Sequence, residues 1–159
     1  MIETKTYFLV RYNQNVDKTK VIDCEPPFDV LKKTGVTIMS PNYPYNYRKN
    51  EYCQVTLTFP EGRQVHLEFE DLGINEWDNG KCWGDWLEIR DGDDASTSPV
   101  LTKLCGFYNP RRIKSRGNSL TLIFKSNENN VSDTARGFKL NADSGYIKNT
   151  ISLLLYEFK

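Results

Sequence analysis

Apolar residues in this chain recur at every second position in short runs, and that spacing constrains the fold more than any other feature. Cys53, Val55, Leu57 and Phe59 alternate with polar neighbours, as do Val65, Leu67 and Phe69, then Leu87 and Ile89, then Leu120, Leu122 and Phe124. A β-strand sends successive side chains to opposite faces, so each run makes a strand with one apolar face. Such a face needs a second layer to cover it. The runs are bounded by turn chemistry: Gly35 before Val36 and Ile38, Pro60-Glu61-Gly62, Asp91-Gly92, and Arg116-Gly117-Asn118-Ser119. Leu101 to Leu104 adds a short strand and Gly137-Phe138-Lys139-Leu140 a last one. Short strands at near-regular spacing, with no helical periodicity between them, predict an all-β antiparallel sandwich.

A chain of 159 residues suits one well-buried domain. Its 21 basic and 21 acidic side chains cancel, and no basic run stands out. Nucleic acid and anionic membrane are therefore not its default partners, since both need a concentrated positive face. Catalysis finds no footing either. The one histidine, His66, alternates with Val65 and Leu67 on the less buried side of a strand, and no GxSxG, HExxH or phosphate-cradling loop is present. The chain reads as a non-enzyme.

Four cysteines, Cys24, Cys53, Cys82 and Cys105, are even in number and widely spaced, with no CxxC pair, which argues against zinc. Two readings stand: four buried thiols in a reducing compartment, or two bridges in an oxidising one. Pairing in sequence order would close two loops of similar size. No segment approaches the ~20 apolar residues of a membrane span, and the run Tyr7-Phe8-Leu9-Val10 is too short for a signal-peptide core. Residues 1–23 read as a leader or linker, with a strand at residues 7–12 or an added edge strand. Residues 143–159 read as a C-terminal extension containing a short apolar run at 151–155.

Taken in order, Cys24, GVTIMSPNYPYNY (35–47), NEYC (50–53), PEGRQVHLEF (60–69), CWGDWLEIRDG (82–92), CGFYNP (105–110), SRGNSLTLIFKSN (115–127) and GF (137–138) resemble a CUB domain. The resemblance covers residues 24–142. It implies a jelly-roll-like sandwich of two antiparallel sheets, with Cys24 bonded to Cys53 and Cys82 to Cys105. It also implies a secreted or cell-surface module that binds other molecules and performs no chemistry, as in complement and developmental proteases, endocytic receptors and seminal-plasma proteins. The sequence departs from the pattern at Val55, where an aromatic is usual, and at Arg48, where proline is common.

Many members of this family hold one Ca²⁺ at one end of the sandwich. Asp85, three residues after the third cysteine, matches one ligand position. The position before that cysteine falls on Asn75, with Glu76 beside it; the loop is about two residues longer than usual, so Glu76 or Asp78 can take the place. The late position falls on Asn127, with Glu128 next. Ca²⁺ takes ~6–8 oxygens, and each Asp-to-Asn change removes attraction. The residues also allow a reading without metal, in which Asp85 caps its loop by accepting backbone N–H bonds.

Partner contacts are expected from the same end. In calcium-binding relatives a partner lysine meets the ligand acids and a tyrosine that matches Tyr47, so the implied contact set is Tyr47, Glu76 and Asp85. Tyr43 and Tyr45 share its loop, and two readings stand for these tyrosines, contact surface or packing over the sandwich end; Trp77 and Trp83 are the candidates for an exposed patch, whereas Trp86 matches a structural aromatic. Asn130-Val131-Ser132 is a glycosylation sequon. The leading expectation is an extracellular module that binds a protein partner. The alternatives are a calcium-independent carbohydrate- or lipid-binding module, and a segment of a larger secreted protease or receptor.

Overall fold

The computed structural model describes residues 18–75, 81–128 and 135–146. Ten strands form among them: β1 (Thr19–Val21), β2 (Asp29–Leu31), β3 (Val36–Met39), β4 (Tyr52–Thr58), β5 (Arg63–Gly73), β6 (Trp86–Arg90), β7 (Val100–Leu104), β8 (Ile113–Lys114), β9 (Ser119–Lys125) and β10 (Gly137–Tyr146). They make two five-stranded sheets in the orders β1-β3-β10-β5-β8 and β2-β4-β9-β6-β7. The all-β sandwich expected from the alternation is the fold observed.

One detail of the sheets differs from that expectation. The edge pairs β1–β3 and β2–β4 are parallel, while every other pair is antiparallel. The reason is the path of the chain. It alternates between the sheets from β1 to β4, so each edge strand reaches its neighbour only by a crossover through the opposite layer. Parallel neighbours require such a crossover. β1, β2 and β8 are two or three residues long and show no alternation, which is why the periodicity misses them. β1 takes the place of an added edge strand within residues 1–23, and β10 runs on to Tyr146. The strand expected at residues 7–12 and the apolar run at 151–155 lie outside the described residues.

The core is the set of inward positions the alternation picked out. Val55, Leu57, Val65, Leu67, Leu87, Ile89, Leu120, Leu122 and Phe124 are wholly buried, with Ile38, Phe138 and Leu140. Each large apolar side chain removed from water contributes about 1.5–3 kcal/mol. Val55, the departure from the family aromatic, is packed as tightly as its neighbours.

The alternation changes phase within β5. Val65, Leu67 and Phe69 face inward, but so do Leu72 and Ile74. A register shift opposite Lys139 and Leu140 absorbs the extra residue at Glu70–Asp71, as a β-bulge does. The bulge keeps Leu72 and Ile74 in the core and delivers Asn75 to the end of the sandwich.

Both disulfides are present, Cys24–Cys53 and Cys82–Cys105. The thiol alternative is thereby set aside.

Candidate functional site

Strands β3, β5, β9 and β10 and the loops around β6 bring four of the expected residues together at one end of the sandwich. Asp85 precedes β6 and is 97 % hidden from solvent, its residual exposure being 3 %. A buried carboxylate needs donors, and it has two. The Tyr47 hydroxyl donates to Asp85 Oδ2 at 2.6 Å, and the Asn127 backbone N–H donates to Oδ1 at 2.8 Å. The Asn75 backbone N–H in turn donates to the Tyr47 oxygen at 3.0 Å. The Asn127 bond spans 42 residues, so Asp85 ties its loop to the one after β9.

The surroundings hold this chain of bonds rigid. The Tyr47 ring packs edge-on against Phe124, with centroids 5.0 Å apart, and Phe124 packs on Phe138. Burial raises the Tyr47 hydroxyl well above the ordinary tyrosine range, and its bond to Asp85 adds to the effect. It therefore stays protonated and remains a donor. The Asn127 amide packs against Gly84: a Cβ there would come within 2.3 Å of Asn127 Nδ2. Ser126 fixes the next turn, donating to the Arg48 carbonyl at 2.6 Å while accepting from the Glu51 N–H at 2.9 Å.

Tyr47, expected among the partner contacts, is buried at 3 % exposure. Its ring is core because the loop from Ser40 folds inward at Ser40 and Tyr47, so only the hydroxyl belongs to the site. Tyr45 and Trp83 are 73 % and 71 % exposed, as a contact surface requires. Trp86 is half-buried. Glu76, Trp77, Asp78 and Asn130 lie outside the described residues.

Two features escaped the sequence reading. Phe107 and Tyr108 stand exposed after the second disulfide, Tyr108 at 90 %. They belong to this end because Gly106 and Ile74 exchange backbone bonds of 2.7 and 3.0 Å beside Asn75. The aromatics of CGFYNP were visible as text, but their exposure was not. The second feature is a charged clamp at the bulge. Arg136 grips both oxygens of Asp71, with Nε at 2.6 Å from Oδ2, and the Tyr43 hydroxyl donates to Oδ2 at 3.0 Å. The Arg136 guanidinium holds Asp71 below the usual carboxylate range. Arg136 and Asp71 are 65 residues apart, so no local spacing announces them.

As a calcium centre the set is right in type and low in charge. Its donors are oxygens, which suit a hard cation. Among Asp85, Asn75 and Asn127 only Asp85 carries charge. The rest of a coordination shell would have to come from amide and backbone oxygens and water. A second grouping does not qualify. The Glu51 carboxylate lies within 4.8 Å of Cys24 and Cys53 Sγ, but those sulfurs are bonded to each other and offer no thiolate.

Comparison with known proteins agrees with this architecture. The family model of the CUB domain matches residues 24–141. Bone morphogenetic protein 1 of Xenopus laevis is 40% identical over 111 residues, which is 70% of this chain and 15% of that protein. Human cubilin is 39% identical over 107 residues, 67% of this chain and 3% of that protein. The chain therefore spans only a small part of these relatives. The crystal structure of the MASP-1 CUB2 domain bound to Ca²⁺ superposes with a TM-score of 0.62 at 28% identity, covering 72% of this chain and 96% of that one. Two five-stranded sheets, two disulfides and the matched motifs lead to one conclusion: the chain belongs to the CUB domain family.

Proposed function

We propose that this chain is a non-catalytic extracellular interaction module that binds a protein partner through the loops at the Asp85 end. The observation that carries this reading is the set of exposed aromatics on the loops at that end. Tyr45, Trp83, Phe107 and Tyr108 come from three loops around a carboxylate whose geometry is held from below. Exposed aromatics on rigid loops bury much area with little entropy lost, which is how binding hot spots are built. Two disulfides suit an oxidising compartment, and the sequon at Asn130 suits secretion.

A calcium-assisted form of this reading is supported by the calcium-bound MASP-1 domain and by the convergence of Asp85 with Asn127. With one carboxylate charge, affinity belongs in the weak extracellular class, about 10⁻⁴–10⁻³ M. The ion would stiffen the loops that carry Trp83.

The test is an array of secreted and cell-surface ectodomains, probed with the wild-type chain and with a Trp83→Ala/Tyr108→Ala variant. Binding to a protein ectodomain that the double variant loses is expected, at unchanged melting temperature. A silent ectodomain array beside a glycan array that responds equally to both chains would replace the protein-binding reading with the carbohydrate one.

A further inference from the structure

The outer faces of the two sheets differ in how their charges are used. On the β3-β10-β5 sheet, charged side chains are matched within the chain: Lys139 with Glu70 at 2.6 Å and Arg112 with Glu68 at 2.5 Å. The opposite sheet has such a pair in Arg90 and Glu88 but also presents lysines without one. Tyr52 of β4, Lys125 of β9 and Trp86 of β6 share one cross-strand row. Their neighbours Cys53, Phe124 and Leu87 point into the core, so all three project outward.

Two lysines converge on Trp86, Lys125 from within the row and Lys103 from beside it, in register with Glu88. Lys125 Nζ lies 5.0 Å from the Trp86 ring centroid, and Lys103 of β7 places its Nζ 3.7 Å from the same ring. Neither ammonium has a carboxylate partner among the described residues. Glu88, the nearest acid along β6, is taken by Arg90 at 2.6 Å. Lys81 lies outside this row, its Nζ 5.8 Å from the Trp83 ring centroid. Tyr52 at the other side is 45 % exposed.

From this arrangement we infer that the outer face of the β4-β9-β6-β7 sheet binds a sulfated glycosaminoglycan chain. Two ammonium groups and two aromatic rings span four strands, about 14 Å at ordinary strand spacing, and form a lane along the sheet. Cations held over an indole are pre-positioned, so little side-chain freedom is lost when an anion arrives. Tyr52 offers a ring face for a sugar to stack on. A stable protein interface buries roughly 800 Å² per partner around a centre depleted of charge, whereas this lane has ammonium groups at its middle. The chain carries no net charge, so retention of a polyanion must come from a local patch such as this one. The lane adjoins the Asp85 end, since Trp86 follows Asp85 and Lys125 precedes Asn127 by two residues, but its lysines are distinct from Tyr45 and Tyr108 and can be substituted apart from them.

The experiment measures binding of a size-defined heparin oligosaccharide to the full chain at about 0.15 M salt. It compares wild type, Lys103→Glu/Lys125→Glu, and a control of equal charge change, Lys32→Glu/Lys33→Glu, at exposed positions beyond the far end of β2. The lane variant should bind at least about ten-fold more weakly with a shallower salt dependence, and the control should change less than about two-fold. Tyr52→Ala should weaken binding with no change of charge, and desulfated heparin should bind poorly to wild type. If the lane substitutions impair folding, Lys103→Ala/Lys125→Ala serves in their place. Equal losses in the two charge-reversed variants, absence of heparin binding by the wild type, or tighter binding to phosphatidylserine vesicles or an acidic peptide than to heparin would each overturn the inference.

Discussion

Replacing Tyr47 with phenylalanine tests the central bond of the site without disturbing its packing. The ring stays against Phe124, 5.0 Å away and near-perpendicular, while the hydroxyl is lost. That hydroxyl donates to the buried Asp85 carboxylate at 2.6 Å and accepts from the Asn75 N–H at 3.0 Å. A hydrogen bond to a charged group is worth about 1.5–3 kcal/mol, and an orphaned donor costs about 1 kcal/mol or more. Asp85 keeps its bond from Asn127, so the expected loss is about 3 kcal/mol rather than the full cost of an unpaired charge. For a domain of this size that lowers the melting temperature by about 10 °C. The assay is thermal and urea unfolding at neutral pH with the disulfides intact, beside Tyr45→Phe, whose ring is exposed and whose substitution should cost less than about 0.5 kcal/mol. A melting temperature for Tyr47→Phe within about 2 °C of wild type would refute the reasoning, because the buried carboxylate would then not depend on this donor.

Three further outcomes follow from the same geometry. Asp71 has a depressed pKa because Arg136 grips it, so its contribution is present at neutral pH and is lost as the pH falls below about 4 through the folded value. Both partners are partly exposed, so Asp71→Asn should cost about 1 kcal/mol at pH 7, and the difference from wild type should shrink steadily as acid protonates the wild-type carboxylate. The bridges close segments of 29 and 23 residues, and removing either by paired Cys→Ala changes should cost about 3.5 kcal/mol in urea unfolding. Calcium at about 10 mM, acting on a site of about 1 mM affinity, should stabilise by about 1.4 kcal/mol, or about 5 °C. An unchanged melting temperature in calcium and in chelator rules the ion out, and loss of the shift in Asp85→Asn assigns it to this site.

Much of the fold was legible because alternation is a local property of the backbone. Leu57, Leu67, Leu122 and their fellows announce both the strand and the face it buries, and a one-residue slip would expose the whole set. The phase change from Phe69 to Leu72 was also in the text, and the bulge is its structural counterpart. Strands as short as β1, β2 and β8 have too few residues to alternate, so they come into view only as partners of longer ones. At the site, Asp85 was identified from its distance to Cys82. The resemblance also placed Tyr47, but not the burial that takes its ring out of the contact surface.

What the sequence alone determined is therefore the two-layer β architecture and the position of Asp85. The tertiary structure decided which distant groups meet. Tyr47 and Asn127 lie 38 and 42 residues from Asp85, Arg136 finds Asp71 across the bulge, and Lys103 and Lys125 converge on Trp86 only because β9, β6 and β7 are neighbours. Strand order is set by crossovers and by whole-sheet packing, and neither is written in any window of adjacent residues.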